Sequence, residues 1–341
     1  MSPELTTDVV RTAAQNLRDV LRYAIEHNAP QRAVVVADTQ SELARGLNAA
    51  YRLALPNATF LDFDATEPAA ILEAFAELKE GDLVVLIQST SFRLDKFRIR
   101  IELFRRSLKV VEHPHLARMT GDETEVYVDA LAYDPDYFRG VGHALKDRIN
   151  ASRTAVVDSG GEQLIYPAAF EPAKVNIGDY TGMQNVGGQY PIGEVFTESA
   201  DLEAVHGRVR ISFFGDTKFT VNRPERPITL VVEKGRVIDA LDSTPEFDLV
   251  LANIRADDGE VWLRELGFGM NRAFTQERTV TDIGTFERMC GVHLSLGAKH
   301  ATYNKPGIRK KTARHHVDVF VITESVMLDD VVIYRDGAWI V

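Results

Sequence analysis

Leu83-Val84-Val85-Leu86-Ile87 is an unbroken aliphatic run with no polar residue at any position. A strand of this kind is covered on both faces, which is the setting of a parallel sheet between helices rather than of a half-solvated antiparallel one. The neighbouring segments repeat the pattern. Ala33-Val34-Val35-Val36-Ala37 and Thr59-Phe60-Leu61-Asp62-Phe63 precede it, Leu108-Lys109-Val110-Val111 follows it, and the stretches between, near 42–55, 68–78 and 95–106, read as helices. An amphipathic helix comes first, with Val10, Ala13, Leu17, Val20, Leu21 and Ala24 at helical spacing. Strands alternating with helices predict an α/β domain with a mainly parallel, Rossmann-like sheet over residues 1–150. After the first strand stands Asp38-Thr39-Gln40-Ser41 in place of a glycine-rich phosphate fingerprint, so no nucleotide cofactor is inferred.

The texture changes between Ser152 and Gly161. Beyond it, Arg208-Val-Arg-Ile-Ser-Phe-Phe214, the stretch from Ile228 to Ile238 and the closing Val331-to-Ile340 hairpin alternate in the two-residue period of strands broken by turns. Residues 151–341 are therefore expected to form a β-rich α+β domain, with a ligand site in the cleft between the two domains.

Composition excludes several classes. The 341 residues are 45% hydrophobic and 26% charged, as in an ordinary globular protein. A net charge of -11 and a pI near 5.4 oppose nucleic acid or an anionic membrane as partner. The single cysteine, Cys290, allows neither an intrachain disulfide nor a cysteine-held zinc, and fits a reducing cytoplasm. Residues 1–27 are interrupted by charge and show neither a signal-peptide core nor a membrane span, so a cytoplasmic protein is expected.

The chemistry concentrates late in the chain. Of 9 histidines, His293, His300, His315 and His316 fall in one short stretch together with Asp318. In His316-Val317-Asp318 the spacing places both side chains on one face of a strand, where an imidazole nitrogen and a carboxylate oxygen can share a cation; a solvated surface pair is the plain alternative. Gly193-Glu194-Val195-Phe196-Thr197 and Arg264-Glu265-Leu266-Gly267-Phe268-Gly269-Met270-Asn271 each set an acid beside glycines that admit close backbone approach. Val292-His293-Leu294-Ser295-Leu296-Gly297 sets a histidine in an apolar run, where a hydrogen-bonded core histidine is the competing reading.

In this order the segments resemble the metal-dependent aminopeptidases of the thermophilic leucyl aminopeptidase, or aminopeptidase T, type. The resemblance implies metal ligands at Glu194, Glu265, His293, His316 and Asp318. It implies two divalent ions per chain (zinc, cobalt or manganese), hydrolysis of an N-terminal peptide or small amide bond, and a homodimer. One of the two glutamates would also serve as general base. The family's catalytic tyrosine falls on His300, with Tyr303 nearby but out of register.

A second resemblance is to the 2,5-dihydroxypyridine dioxygenases, carried by Gly307-Ile-Arg-Lys-Lys-Thr312 before His316 and Asp318 and by Glu112-His-Pro-His-Leu-Ala-Arg-Met119. It implies a single Fe(II) in a facial triad, with Glu265 standing where that family has its first histidine. Arg309, Lys310 and Lys311 are then candidates to pair with a substrate carboxylate or oxyanion, against the reading of a solvated turn. His113 and His115, at the expected C-terminal edge of the first sheet, are further substrate-binding candidates. A metal-stabilised binding protein without catalysis is the third expectation.

Overall fold

The computed structural model describes residues 4–92, 94, 99–298, 303 and 315–341. In chain order the first stretch runs α1 (Thr7–Asp19), β1 (Ala33–Ala37), α2 (Glu42–Ala54), β2 (Thr59–Asp62), α3 (Pro68–Ala76), β3 (Leu83–Ile87), α4 (Ile99–Arg105), β4 (Lys109–His113), α5 (Glu123–Ala130) and α6 (Pro135–Ala151). It continues through β5 (Ala155–Asp158), β6 (Gln163–Tyr166), β7 (Lys174–Asn176), β8 (Gly187–Gln189), β9 (Glu194–Glu198), β10 (His206–Gly215), β11 (Val221–Asn222), β12 (Ile228–Glu233) and β13 (Arg236–Leu241). It ends with α7 (Pro245–Asp258), β14 (Leu263–Gly269), α8 (Ile283–Phe286), β15 (Gly291–Gly297), β16 (His316–Val321), β17 (Ser325–Leu328), β18 (Val331–Arg335) and β19 (Ala338–Trp339).

Two compact units share this chain, and they are discontinuous in sequence: 1–139, 178–192 and 278–282 form one, and 140–177, 193–277 and 283–341 the other. The first unit holds a parallel sheet in the order β2-β1-β3-β4-β8. Every residue of β1 and β3 is buried, as their unbroken aliphatic sequences require, whereas β2 at the edge is partly exposed. One face packs Val34, Val36, Val84, Leu86 and Val110 against Ile71 and Phe75 of α3 and Leu103 of α4. Side-chain caps start the helices where the sequence offers them: Thr6 accepts from Val9 N and Ser41 from Ala44 N. The strand order reverses direction at β1, and there Asp38 accepts hydrogen bonds from Ser89 N at 2.7 Å and Ser89 Oγ at 2.5 Å.

Among the described residues, the second unit is built on a 14-stranded sheet whose main path is β19-β18-β17-β5-β6-β10-β16-β15-β14-β9-β7, with every pairing antiparallel. Four neighbours in this path, β16, β15, β14 and β9, are buried along nearly their whole length. Leu266, Phe268, Val292, Leu294, Leu296, Val317 and Val319 alternate onto one face and are all buried. At roughly 1.5–3 kcal/mol for each large apolar side chain removed from water, that face anchors the strands and offsets the cost of the polar residues on the other. No helix of the described residues is long and apolar enough to cross a membrane.

Candidate metal centre

Strand register assembles the site. Gly269 pairs with Glu194, Gly267 with both Phe196 and His293, His293 with Phe320, Ser295 with Asp318 and Gly297 with His316. Paired residues point to the same side of a sheet, and side chains two apart along a strand share a face. Glu194, Glu265, His293, Asp318 and His316 therefore all project from one face of four adjacent strands. That face is buried: Glu194, Glu265 and Asp318 are 5%, 6% and 6% exposed and His293 is 1% exposed.

Two local features frame the convergence. Between the pairs Leu263–Leu296 and Leu266–Leu294, two residues of β14, Arg264 and Glu265, oppose the single residue Ser295, which is a β-bulge. The Glu265 amide that the bulge releases from the ladder donates to Ser295 Oγ at 3.0 Å, and the Arg264 guanidinium forms a buried ion pair with Glu198 at 2.6 Å. Gly267 leaves room for the imidazole beside it. A Cβ there would stand 2.0 Å from Cε1 and 2.1 Å from Nε2 of His293, so only glycine lets the ring lie across β14.

The donor atoms converge as a metal site needs. His293 Nε2 lies 3.2 Å from Glu194 Oε1 and 3.3 Å from Glu265 Oε1, and one donor atom from each of the three residues falls within 4.8 Å of the others. On β16, His316 Nε2 lies 3.3 Å from Asp318 Oδ1, which is buried and has no other partner among the described residues. His316 Nδ1 donates to the Ala298 carbonyl at 3.1 Å, which fixes the ring with Nε2 turned to Asp318, the orientation that ligating histidines commonly take. Charge links the two groups. Burial lowers the basicity of His293, but its hydrogen bonds to Glu194 and Glu265 overcome this and raise its pKa to about 10. Burial is likewise overcome at His316, where the Asp318 charge raises it to about 9. Glu194 and Asp318, pushed up by burial, are pulled below the usual carboxylate range by these histidines and by Arg288. Each imidazole thus holds a proton where a cation would sit. Buried carboxylates, a buried His293 whose Nε2 faces two of them, and a His316 ring fixed through Nδ1 fit a divalent metal.

The fold is shared with two enzymes. Similar solved structures are 2,5-dihydroxypyridine dioxygenase from Pseudomonas putida KT2440, at 16% identity and a TM-score of 0.63 over 96% of each chain, and AmpT from Thermus thermophilus, at 15% identity and a TM-score of 0.57 over 97% of this chain and 99% of that one. No family model matches the sequence, and no curated protein does. At these identities the likeness is one of fold.

The remaining candidates fall elsewhere. His113 is sealed in the core of the first unit, with Nε2 2.8 Å from Tyr51 Oη and Nδ1 2.8 Å from Tyr127 Oη. The Tyr127 hydroxyl donates to the Tyr190 carbonyl at 2.9 Å, so it accepts from Nδ1–H, and Nε2 accepts from Tyr51. Burial lowers the His113 pKa to about 3 and keeps this neutral tautomer. Neither nitrogen is left to meet a substrate. His115 is half-buried, in the left-handed region (φ 59) at the start of a short turn, and its pKa is lowered by burial and by Arg118. His300, Arg309, Lys310 and Lys311 lie outside the described residues.

Two further residues near the centre belong to none of the motifs. Tyr303 is buried, its hydroxyl within 3.1 Å of the Pro172 carbonyl and 3.2 Å of the Phe196 carbonyl, and burial and the Glu265 charge raise its pKa. Arg288 brings its Nη2 to 4.0 Å from Glu194 Oε2 while 5% exposed. Two cavities of the second unit, about 670 Å³ beside the start of α7 and about 310 Å³ beside Met289 and Cys290, are lined by none of the five candidate residues.

Proposed function

We propose that this protein is a metal-dependent hydrolase that cleaves an amide bond, most simply the bond that releases an N-terminal residue. The reading rests on one observation: three buried carboxylates, Glu194, Glu265 and Asp318, and the buried His293 share one sheet face with the partly exposed His316. Carboxylate oxygen and imidazole nitrogen suit zinc, cobalt or manganese. When bound, the cation supplies hydroxide from water near neutral pH and polarises the scissile carbonyl. Glu194, Glu265, His293, His316 and Asp318 would hold it. His293 and the Arg288 charge beside it make Glu194 a weaker base. The buried face excludes bulk water from the reacting groups and keeps their charges effective.

Ring opening by dioxygen at one Fe(II) is the second reading, since His293, His316 and Asp318 on adjacent strands also compose a two-histidine, one-carboxylate set. Oxygen separates the two. With zinc, manganese or cobalt supplied, cleavage of aminoacyl amides, N-acyl compounds and short peptides continues in an oxygen-free chamber if the protein is a hydrolase. The hydrolase reading is wrong if no amide is cleaved under any metal while the ferrous protein consumes oxygen on a dihydroxylated pyridine. Tight metal binding without either turnover would favour a metal-stabilised binding protein.

A further inference from the structure

An arginine buried to 5% exposure beside a cluster of cation ligands is unexpected, because guanidinium and metal compete for the same carboxylates. The chain nevertheless builds Arg288 into place. Its backbone carbonyl accepts from Asn271 N at 2.8 Å, and its side chain is anchored by the Gly284 carbonyl and by Glu287. Gly269, the register partner of Glu194, is what lets this segment approach: a Cβ there would stand 1.9 Å from the Met289 carbonyl oxygen and 2.9 Å from the Arg288 carbonyl carbon. The two oxygens of Glu194 consequently face different cations. Oε1 lies 3.2 Å from His293 Nε2, inside the ligand cluster, whereas Oε2 faces Arg288 Nη2 at 4.0 Å.

We propose that Arg288 makes the metal centre unequal: one divalent ion binds tightly, and a second binds weakly because the guanidinium faces Glu194 Oε2 and supplies a fixed positive charge. Charge points the same way: Arg288 contacts Glu287 through Nη1 but turns Nη2 toward Glu194, so a first divalent ion already adds two positive charges beside a guanidinium. A second ion enters against the guanidinium a few ångströms away in a low-dielectric setting. Arg288 is a positioning residue, acting through Glu194.

This rests on the metal-centre reading, and the test keeps the two apart. Manganese or zinc is titrated calorimetrically into the chelator-stripped full chain, for wild type, Arg288→Met and Arg288→Lys, with thermal melting in chelator as the check on folding. In wild type the second dissociation constant should be at least about tenfold weaker than the first. Arg288→Met should tighten the second site about tenfold or more and leave the first within a fewfold, and Arg288→Lys should restore the gap. A merely structural arginine would weaken both sites, or neither, when replaced. Two equal sites in wild type, or an unchanged second constant in a folded Arg288→Met, overturns the inference while the metal centre stands. No ion bound by wild type overturns the metal centre itself.

Discussion

Gly267→Ala isolates the geometry of the centre. Gly267 is absent from the left-handed residues, so alanine strains no backbone there and its effect is the collision with His293. The added Cβ would stand 2.0 Å from Cε1, whereas ordinary contact begins near 3.4 Å, so the imidazole must retreat by about 1.4 Å. It has nowhere to go, being 1% exposed with its ring centroid 6.1 Å from that of Phe320. Overpacking of this kind costs about 1–3 kcal/mol, or roughly 2 to 10 °C in a melt of the chelator-treated protein. A shift of that size also lies far outside the tolerance of about 0.2 Å for a metal–ligand distance, so metal affinity should fall at least about 100-fold. In a His293→Ala background the methyl enters vacated space, and Gly267→Ala should then cost less than about 0.5 kcal/mol. Melting and metal titration of the four proteins in this cycle check the argument. It is refuted if Gly267→Ala alone melts with wild type and keeps its metal affinity.

Other outcomes follow from the same contacts. Glu194→Gln should abolish the weaker ion, and His316→Ala or Asp318→Ala should lower metal affinity and the metal-dependent part of the melting temperature, because a neutral or truncated side chain is a poorer ligand; unchanged elemental analysis in all three would remove these residues from the site. Without metal, His293 and His316 titrate near about 10 and about 9, above the 6.5 of a free imidazole. Raised folded values mean that their stabilisation is fully present below about pH 6.5 and lost as pH climbs through about 9 and 10, so the stripped protein should melt progressively lower from about pH 6.5 upward. The same protons must leave for metal to bind, so uptake at pH 7 should release close to two protons in a pH-stat, and no release would contradict the geometry. His113→Phe should leave the buried Tyr51 hydroxyl without its acceptor and cost about 1–3 kcal/mol with metal affinity unchanged; a loss of metal would show that the first unit's core takes part in the site.

The strands whose side chains must be apolar are legible in the amino-acid sequence alone. Ala33–Ala37 and Leu83–Ile87 stand where the aliphatic runs are, because burial on both faces leaves no position free to vary. β8 is not legible there: Gly187 and Gly188 carry no side-chain signal, and only pairing with β4 makes Gly187–Gln189 a strand of the first sheet. The five candidate ligands can be picked out by motif, but their convergence depends on long-range register. It needs the pairing of Gly267 with His293 to bring Glu265, two residues away, onto the same face, and the glycine itself to make room for the ring. Arg288 is invisible in sequence for the same reason, since a lone arginine after a short helix has no period and gains meaning only through Gly269 opposite Glu194. His113 illustrates the opposite case: its place at the C-terminal edge of β4 suggests a ligand, and the tyrosines around it account for both nitrogens.

The central claim, that Glu194, Glu265, His293, His316 and Asp318 form one divalent-cation centre, is tested most directly by native mass spectrometry of the full chain. Wild type and Glu265→Ala would each be equilibrated with zinc, manganese or ferrous ion at micromolar free concentration and desalted. The account predicts a retained ion on wild type for at least one metal and its loss from Glu265→Ala. A wild-type mass without metal under every condition, or an ion held equally by the variant, contradicts it.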